Sequence, residues 1–260
     1  MPIDYRMDAA QYYDMFHAWT HDIPFYLQRM TGPSARVLEL GCGTGRLMVL
    51  LAERCTYIHG IDCSEAALTL CREKLHAANI PASSAVVEVG DVADFNLEMI
   101  FDWIIAPCRV MQNLATDAEV DGFLRGITRH LAPGGTCILN VFKPSAPPEQ
   151  LQASWRREEE RVDDEMSIAG GRVVCSSRQP HMTLHPLVLY PELVYRRYEE
   201  NALVGEAVLK FPMRCYYPDE FLTLIEGHGF QVTGKWGGYA GEPYGDGGEL
   251  VVAFTKGAAL

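Results

Sequence analysis

Residues 36–45 read RVLELGCGTG, and this stretch decides the fold. Val37, Leu38 and Leu40 form a short apolar run typical of a buried strand, and the glycines that follow end it. A helical pattern begins at about Gly45. Its apolar face consists of Leu47, Leu50 and Leu51. A strand, a glycine turn and a helix in this order present unpaired N–H groups to a ligand, so we expect a binding site here.

The same alternation of short apolar runs and helical patterns continues outward from this unit. Further strands are predicted at residues 57–61, 85–89, 101–106, 136–142, 230–236 and 249–255. Helices are predicted to begin after Ser64, at a capping box of residues 116–119 with Leu131 as the last inward residue, and at Pro218. Consecutive units of this kind predict an α/β fold with a mostly parallel sheet and helices on both faces.

The pattern changes after Lys143. Residues 144–150 are rich in proline and polar groups, and strand-like pieces then continue to about residue 217. Residues 170–171 are both glycine and indicate a hairpin, and Gly205 suggests a second turn. We therefore predict a parent domain of residues 1–143 and 215–260. Residues 144–214 would be an inserted antiparallel β subdomain that either covers the binding cleft or forms a dimer interface.

Composition limits the possible partners. The chain has 22 Lys and Arg against 34 Asp and Glu, a formal charge of −12, which disfavours a nucleic-acid partner. No apolar run approaches the roughly 20 residues of a membrane helix, and the first residues lack a secretion pattern, so we expect a cytoplasmic protein away from the membrane. The eight cysteines form no C-x-x-C pair and are expected to be reduced, without a metal site. A monomer and a homodimer both remain open.

The spacing of the glycines distinguishes two kinds of ligand. A dinucleotide fingerprint requires glycine at position 46, where this chain has Arg46. A nicotinamide-dependent oxidoreductase is therefore the weaker alternative. The pattern E-x-G-x-G-x-G of residues 39–45, with acidic residues Asp62 and Asp91 closing the second and third strands, resembles the class I S-adenosylmethionine-dependent methyltransferases. In this family the fold is Rossmann-like with a seven-stranded sheet, and the parent domain binds the methyl donor.

The resemblance implies S-adenosyl-L-methionine as the cofactor and S-adenosyl-L-homocysteine as its product. Asp62 would bind the ribose hydroxyls, Asp91 the adenine amino group, and a carbonyl near Pro107 the methionine amino group. Tyr13 lies in a Tyr-Asp pair that the family folds over the donor. The full expected set is Tyr13, Glu39, Gly41, Cys42, Gly43, Gly45, Arg46, Asp62, Cys63, Gly90, Asp91, Val92, Pro107 and Cys108.

The acceptor is expected to be a small molecule methylated on nitrogen or oxygen. Residues after the fourth strand should face it, with Arg109 as a fork for an anionic group and Gln112 or Asn113 as orienting amides. These same side chains would alternatively bond their own backbone. The candidates for a general base are His17, His21, His181 and His185. A protein that binds the donor without catalysis is the alternative outside the enzymes.

Overall fold

The computed structural model describes residues 9–17, 19–30 and 35–257. The helices are α1 (Ala10–Phe16), α2 (Ile23–Arg29), α3 (Met48–Ala52), α4 (Glu65–Ala77), α5 (Asp117–His130), α6 (Pro148–Ser154) and α7 (Pro218–Gly227). The strands up to the second sheet are β1 (Arg36–Leu40), β2 (Tyr57–Asp62), β3 (Ala85–Val89), β4 (Phe101–Ala106) and β5 (Leu131–Phe142). The later strands are β6 (Arg157–Ile168), β7 (Gly171–Leu184), β8 (Leu187–Glu199), β9 (Ala202–Lys210), β10 (Met213–Arg214), β11 (Phe230–Trp236) and β12 (Glu249–Lys256).

The first sheet has seven strands in the order β11-β12-β5-β4-β1-β2-β3. Strands β1 to β5 run parallel, while β12 is antiparallel to both β5 and β11. Alternate residues of β1 point to opposite faces, so Val37 packs in one apolar cluster with α2, α3 and α4. Leu38 packs in another cluster with residues of α5 and α7. The predicted Rossmann-like sheet with helices on both faces is confirmed.

Capping side chains determine where two of the helices begin. The Ser64 hydroxyl accepts a hydrogen bond from the Ala67 N–H at the start of α4. Thr116 and Glu119 form the predicted capping box at the start of α5. Each side chain satisfies a backbone donor that has no partner inside the helix, so these caps fix where the helices begin beside the sheet edge.

Several predicted boundaries were wrong. Helix α3 begins at Met48, not Gly45, because Gly45 has φ +83°, which no α-helix contains. Helix α5 ends at His130, and Leu131 starts β5 by pairing with Phe101 of β4. Helix α6 was missed, since its prolines suggested a loop. Proline is in fact well tolerated in the first turn, where its missing N–H costs nothing.

The second sheet has five strands, with β10-β8-β7-β6 as one path and β9 paired to β8. The predicted hairpin at residues 170–171 is confirmed. Gly205 lies inside β9, and the turn before that strand consists of Glu200 and Asn201, both with positive φ. One face of this sheet packs against α1, with Tyr195 contacting Tyr12. The division of the chain into a parent domain and an inserted subdomain stays a prediction.

Candidate active site

A cavity of about 630 Å³ lies where β1, β2, β3 and β4 end. The sheet edge contributes Gly41, Asp62, Cys63, Gly90, Asp91, Val92, Cys108, Arg109, Val110, Gln112 and Asn113. The opposite wall consists of Tyr13, His17, Trp19, Tyr190, Leu193, Leu209, Lys210, Phe211, Pro212 and Met213, and α5 adds Glu119 beside Leu114 and Ala115. Parallel α/β sheets bind ligands at this edge. The cavity therefore joins four strand-end loops to a wall that is partly built by the second sheet.

The glycine loop, residues 41–45, can exist only with glycine at two of its positions. Gly41 has φ +71°, and a Cβ on it would lie 2.3 Å from Val110 Cγ2. Gly45 has φ +83°, and a Cβ on it would lie 2.5 Å from Cys71 Sγ. The left-handed backbone and the close approach both exclude a side chain. The loop thus brings bare backbone to the end of β1.

Asp62 links the glycine loop to the end of β2. Its side chain is buried, and its two carboxylate oxygens accept hydrogen bonds from the Gly43 N–H at 2.8 Å and the Ser64 N–H at 2.9 Å. These bonds hold the carboxylate at the end of β2, and Asp62 also lines the cavity.

Glu39 is a buried carboxyl directly before the glycine loop. Its Oε2 atom has no hydrogen-bond partner among the described residues. Burial, and then the neighbouring Cys71, raises the pKa of Glu39 well above its usual range. An unpartnered buried oxygen is costly, and a polar ligand group at the end of β1 would relieve that cost. This feature fits the amino-acid end of the expected donor.

The loop after β3 brings a second carboxylate to the cavity. Asp91 Oδ1 accepts a hydrogen bond from the Ala93 N–H at 2.9 Å, which fixes the side chain beside Gly90 and Val92. Together with Asp62 and Glu119 it gives the cavity wall three acidic residues, against the cationic residues Arg109 and Lys210. The acidic excess favours cationic ligands such as a sulfonium.

The β4 loop, residues 107–113, contains a strained turn. Cys108 and Arg109 have φ of +55° and +65°, a left-handed conformation that costs roughly 1–2 kcal/mol per residue outside glycine. The Arg109 N–H donates to Asn140 Oδ1 at 3.2 Å, and this bond holds the turn. This strained turn places Cys108 and Arg109 in the wall of the cavity.

Arg109 has a carboxylate partner that is distant in sequence. Its Nε donates to Glu249 Oε1 at 3.0 Å, and Nη2 bonds the same oxygen. Asn140 Nδ2 donates to the other Glu249 oxygen at 3.0 Å, and this bond closes a ring of hydrogen bonds with the β4 loop. The guanidinium also lies over the rings of Trp19 and Phe142. Glu249 is thus a distant acidic partner that balances the charge of Arg109 without an anionic acceptor, and a contact between Arg109 and the acceptor stays a prediction.

Two other side chains that were expected to contact ligands, those of Gln112 and Arg46, form hydrogen bonds within the protein. Gln112 is buried, with Nε2 donating to the Arg214 carbonyl and Oε1 accepting from the Phe142 N–H, both at 2.7 Å. These bonds tie the β4 loop to β5 and β10, and because Gln112 also lines the cavity, its role as an orienting amide stays a prediction. The Arg46 guanidinium bonds Asp22, as described below. Asn113 lines the cavity, and its orientation of the acceptor stays a prediction.

The four histidine candidates lie in different places. His17 lines the cavity, with Nε2 2.8 Å from the Tyr195 hydroxyl and its ring beside Tyr13. His21 is exposed against Tyr239, His181 is exposed against Tyr190, and His185 is exposed before a cis proline. Among the described residues, His17 is thus the candidate that reaches the cavity. The other three are corrected to surface residues.

The remaining expected residues sit around the cavity in two groups. Tyr13, Cys63, Gly90, Val92 and Cys108 line it. Cys42, Gly43, Gly45 and Pro107 belong to the loops that shape it without forming its described wall. Sequence reasoning missed Trp19, Glu119, Asn140, Tyr190, Glu249 and residues 209–213. Their only signal was position in strands and turns, with no motif to mark them.

Comparison with known proteins agrees with this geometry. A family model described as a methyltransferase domain matches residues 37–135. A dTDP-3-amino-3,6-dideoxy-alpha-D-glucopyranose N,N-dimethyltransferase of Streptomyces fradiae is 26% identical over 213 residues, 76% of this chain and 77% of the relative. The Cypemycin N-terminal methyltransferase of a Streptomyces species is 27% identical over 80% of this chain and 77% of its own.

Solved structures share the fold along nearly the whole chain. The CcbJ methyltransferase of Streptomyces caelestis has a TM-score of 0.78 at 20% identity and 98% coverage of both chains. An S-adenosylmethionine-dependent methyltransferase of Clostridium acetobutylicum also has a TM-score of 0.78, at 14% identity, with 96% of this chain and 98% of that one covered. The chain is a class I S-adenosylmethionine-dependent methyltransferase. Its methyl donor is S-adenosylmethionine, and the nicotinamide alternative is not supported.

Proposed function

We propose that this enzyme methylates an amine nitrogen of a small molecule. The curated relatives named above act on an amino sugar and on a peptide N-terminus, both of them amines. The observation that carries the proposal is the cavity of about 630 Å³, whose wall unites the strand-end loops with apolar and aromatic residues of the second sheet. A volume of this order suits a donor with a small acceptor beside it.

The donor would lie along the sheet edge. Asp62 would accept from the ribose hydroxyls and Asp91 from the adenine amino group, while Glu39 would accept from the methionine amino group. The acidic excess of this wall supports a donor that carries a positive sulfur. Cys108 and Arg109 would then lie beside the methyl group.

When bound, the donor supplies a sulfonium methyl group, which the amine lone pair attacks as the carbon–sulfur bond breaks and its electron pair stays on sulfur. The protein mainly has to align the two reactants and exclude water. Tyr13, Trp19 and Phe211 supply an aromatic wall that favours a cationic or methylated nitrogen.

His17 is the proposed group that takes the amine proton. An amine is nucleophilic only after it has lost its proton, and a positioned imidazole is a suitable acceptor. The Tyr195 hydroxyl, 2.8 Å from Nε2, fixes the orientation of the ring. His17 reaches the cavity from α1, on the wall opposite the sheet edge.

We also propose that the enzyme acts in the cytoplasm, as a monomer or a homodimer. All eight cysteines are free in the structure, which supports the reducing conditions of the cytoplasm. No helix of the described chain is long and apolar enough to cross a membrane. A monomer or a homodimer would both leave the cavity complete within one chain.

A pooled assay tests this function. Purified enzyme is incubated with radiolabelled donor, a set of small amines, and hydroxyl analogues of the same skeletons. We expect label on amines, and a loss of at least tenfold in Asp62→Ala, whose charge-assisted bonds are worth about 1.5–3 kcal/mol. Transfer only to hydroxyl analogues would replace the amine by an oxygen acceptor. Donor binding without transfer to any compound would favour a non-catalytic protein.

A further inference from the structure

Arg46 directly follows the glycine loop, and both terminal nitrogens of its guanidinium contact other residues of the protein. Nη1 and Nη2 each donate to one carboxylate oxygen of Asp22 at 2.7 Å, which makes a bidentate pair. Nη1 also donates to the Trp19 carbonyl at 2.6 Å, and Nη2 contacts Cys108 Sγ at 2.9 Å. The pair is largely buried, with 19% of the Arg46 side chain and 4% of the Asp22 side chain exposed.

Two of the partners of Arg46 line the cavity from different sides. Trp19 lines it from the N-terminal side, and Cys108 lines it from the strained turn of the β4 loop. Arg46 itself belongs to the segment that starts at the glycine loop. A planar fork with several fixed donors is the side chain best suited to join three segments at one point.

The glycine loop holds the N-terminal side at a second point. The Thr44 hydroxyl donates to Asp14 Oδ1 at 2.6 Å, and Lys74 of α4 pairs with the other Asp14 oxygen. Asp14 lies in α1 between Tyr13 and His17, which both line the cavity. We call α1 together with residues 19–22 the N-terminal segment. It is fastened to the donor side of the cavity through Thr44 and Arg46.

We infer that Arg46 is a positioning residue that holds the N-terminal segment closed over the bound donor, and that it does not bind the donor itself. The inference rests on the proposed function of the site. Burial alone would lower the pKa of the Arg46 guanidinium, yet its bonds to Asp22 and Cys108 raise it, so the charge that holds the segment is permanent.

A wall that closes over a bound ligand mainly lowers the rate at which the ligand dissociates. Affinity differences between closely related complexes lie mostly in the dissociation rate. For Arg46→Gln and for Asp22→Asn we expect S-adenosylhomocysteine to dissociate about tenfold to a hundredfold faster, with the association rate little changed. The double variant should lose no more than either single one, because both changes break the same pair.

The matched control is an ion pair of the second sheet whose two members do not line the cavity. Arg196 Nη2 donates to Glu160 Oε2 at 2.9 Å, with 25% and 29% of these side chains exposed. Arg196→Gln should leave the dissociation rate of S-adenosylhomocysteine unchanged. Arg46→Lys keeps the charge without the fork and should fall between wild type and Arg46→Gln.

The experiment combines stopped-flow release of S-adenosylhomocysteine with amide hydrogen exchange. In wild type, bound S-adenosylhomocysteine should slow exchange in the N-terminal segment, and in Arg46→Gln this protection should be lost while the sheet stays protected. If Arg46→Gln is folded and releases S-adenosylhomocysteine at the wild-type rate, the inference is overturned. If the wild type itself binds no S-adenosylhomocysteine, the proposed function fails instead. Should Arg46→Gln not fold, Asp22→Asn and Arg46→Lys decide by the same readout.

Discussion

The two sides of the cavity are built in different ways. On the donor side, each side chain or backbone group follows its own strand directly, and its contacts reach a neighbouring loop, as when Asp62 accepts from the Gly43 N–H. On the acceptor side, the contacts join distant parts of the chain: Arg109 and Glu249 are 140 residues apart, and His17 and Tyr195 are 178 apart. The donor side is thus specified by local sequence, and the acceptor side by the assembled fold.

The largest effect on stability and donor binding is expected from a substitution of Gly45 on the donor side. A Cβ there adds a clash with Cys71 Sγ to a left-handed backbone, so Gly45→Ala should destabilise the fold by about 2–5 kcal/mol and abolish detectable donor binding. Thermal unfolding and calorimetry with S-adenosylhomocysteine measure the two effects.

Gly170 provides the matched control for Gly45. It has the same φ of +83° in the β6–β7 hairpin, but a Cβ there would meet nothing within 4 Å. Gly170→Ala should cost only the backbone strain, about 1–2 kcal/mol, and should leave donor affinity unchanged. Equal losses of donor affinity in both variants would show that the close approach of the glycine loop has no special role.

A smaller effect is expected on the acceptor side at Arg109. Lysine cannot reproduce the bonds to Glu249 and the stacking on Trp19, so Arg109→Lys should raise the acceptor KM by about tenfold, or about 1.4 kcal/mol. Donor affinity should stay within a factor of about two, since Arg109 lies beyond the donor contacts. Steady-state kinetics with the acceptor found in the pooled assay and calorimetry with S-adenosylhomocysteine separate the two.

Two results would contradict the separate action of the donor side and the acceptor side. If Arg109→Lys weakens donor binding as much as it raises the acceptor KM, the two sides do not act separately. If Glu249→Gln, which keeps the shape of the carboxylate but removes its charge, leaves acceptor kinetics intact, the hydrogen-bonded ring is not needed to hold the acceptor wall.

The sheet and the donor loops could be predicted because their signals are local. An apolar run followed by glycine or aspartate specifies a strand and the loop at its end, and the order of such units specifies the sheet. The same reasoning failed at β5, where Leu131 continues into the strand through a proline and two glycines because it pairs with Phe101. Helix α6 was missed for a similar reason, since its prolines lie in the first turn.

The acceptor wall could not be predicted in the same way. Nothing near Arg109 in sequence points to Glu249, the first residue of the last strand, which reaches the β4 loop only because β12 runs antiparallel to β5. His181 and His185 lie in the stretch that builds the cavity wall, yet both are exposed while Tyr190 faces the cavity. Which face of a strand reaches a cavity depends on register and bulges, and the bulge between Arg178 and His181 changes that register.

The central claim is that S-adenosylmethionine lies along the carboxyl edge of the parallel sheet with Asp62 on its ribose. A crystal structure of the chain with bound S-adenosylhomocysteine tests this claim most directly. We predict ribose hydroxyls about 2.7 Å from the Asp62 carboxylate, with the Gly43 and Ser64 bonds retained and the sulfur facing the β4 loop. A ligand bound outside this cavity, or an Asp62 carboxylate that bonds only Gly43 and Ser64, would contradict it.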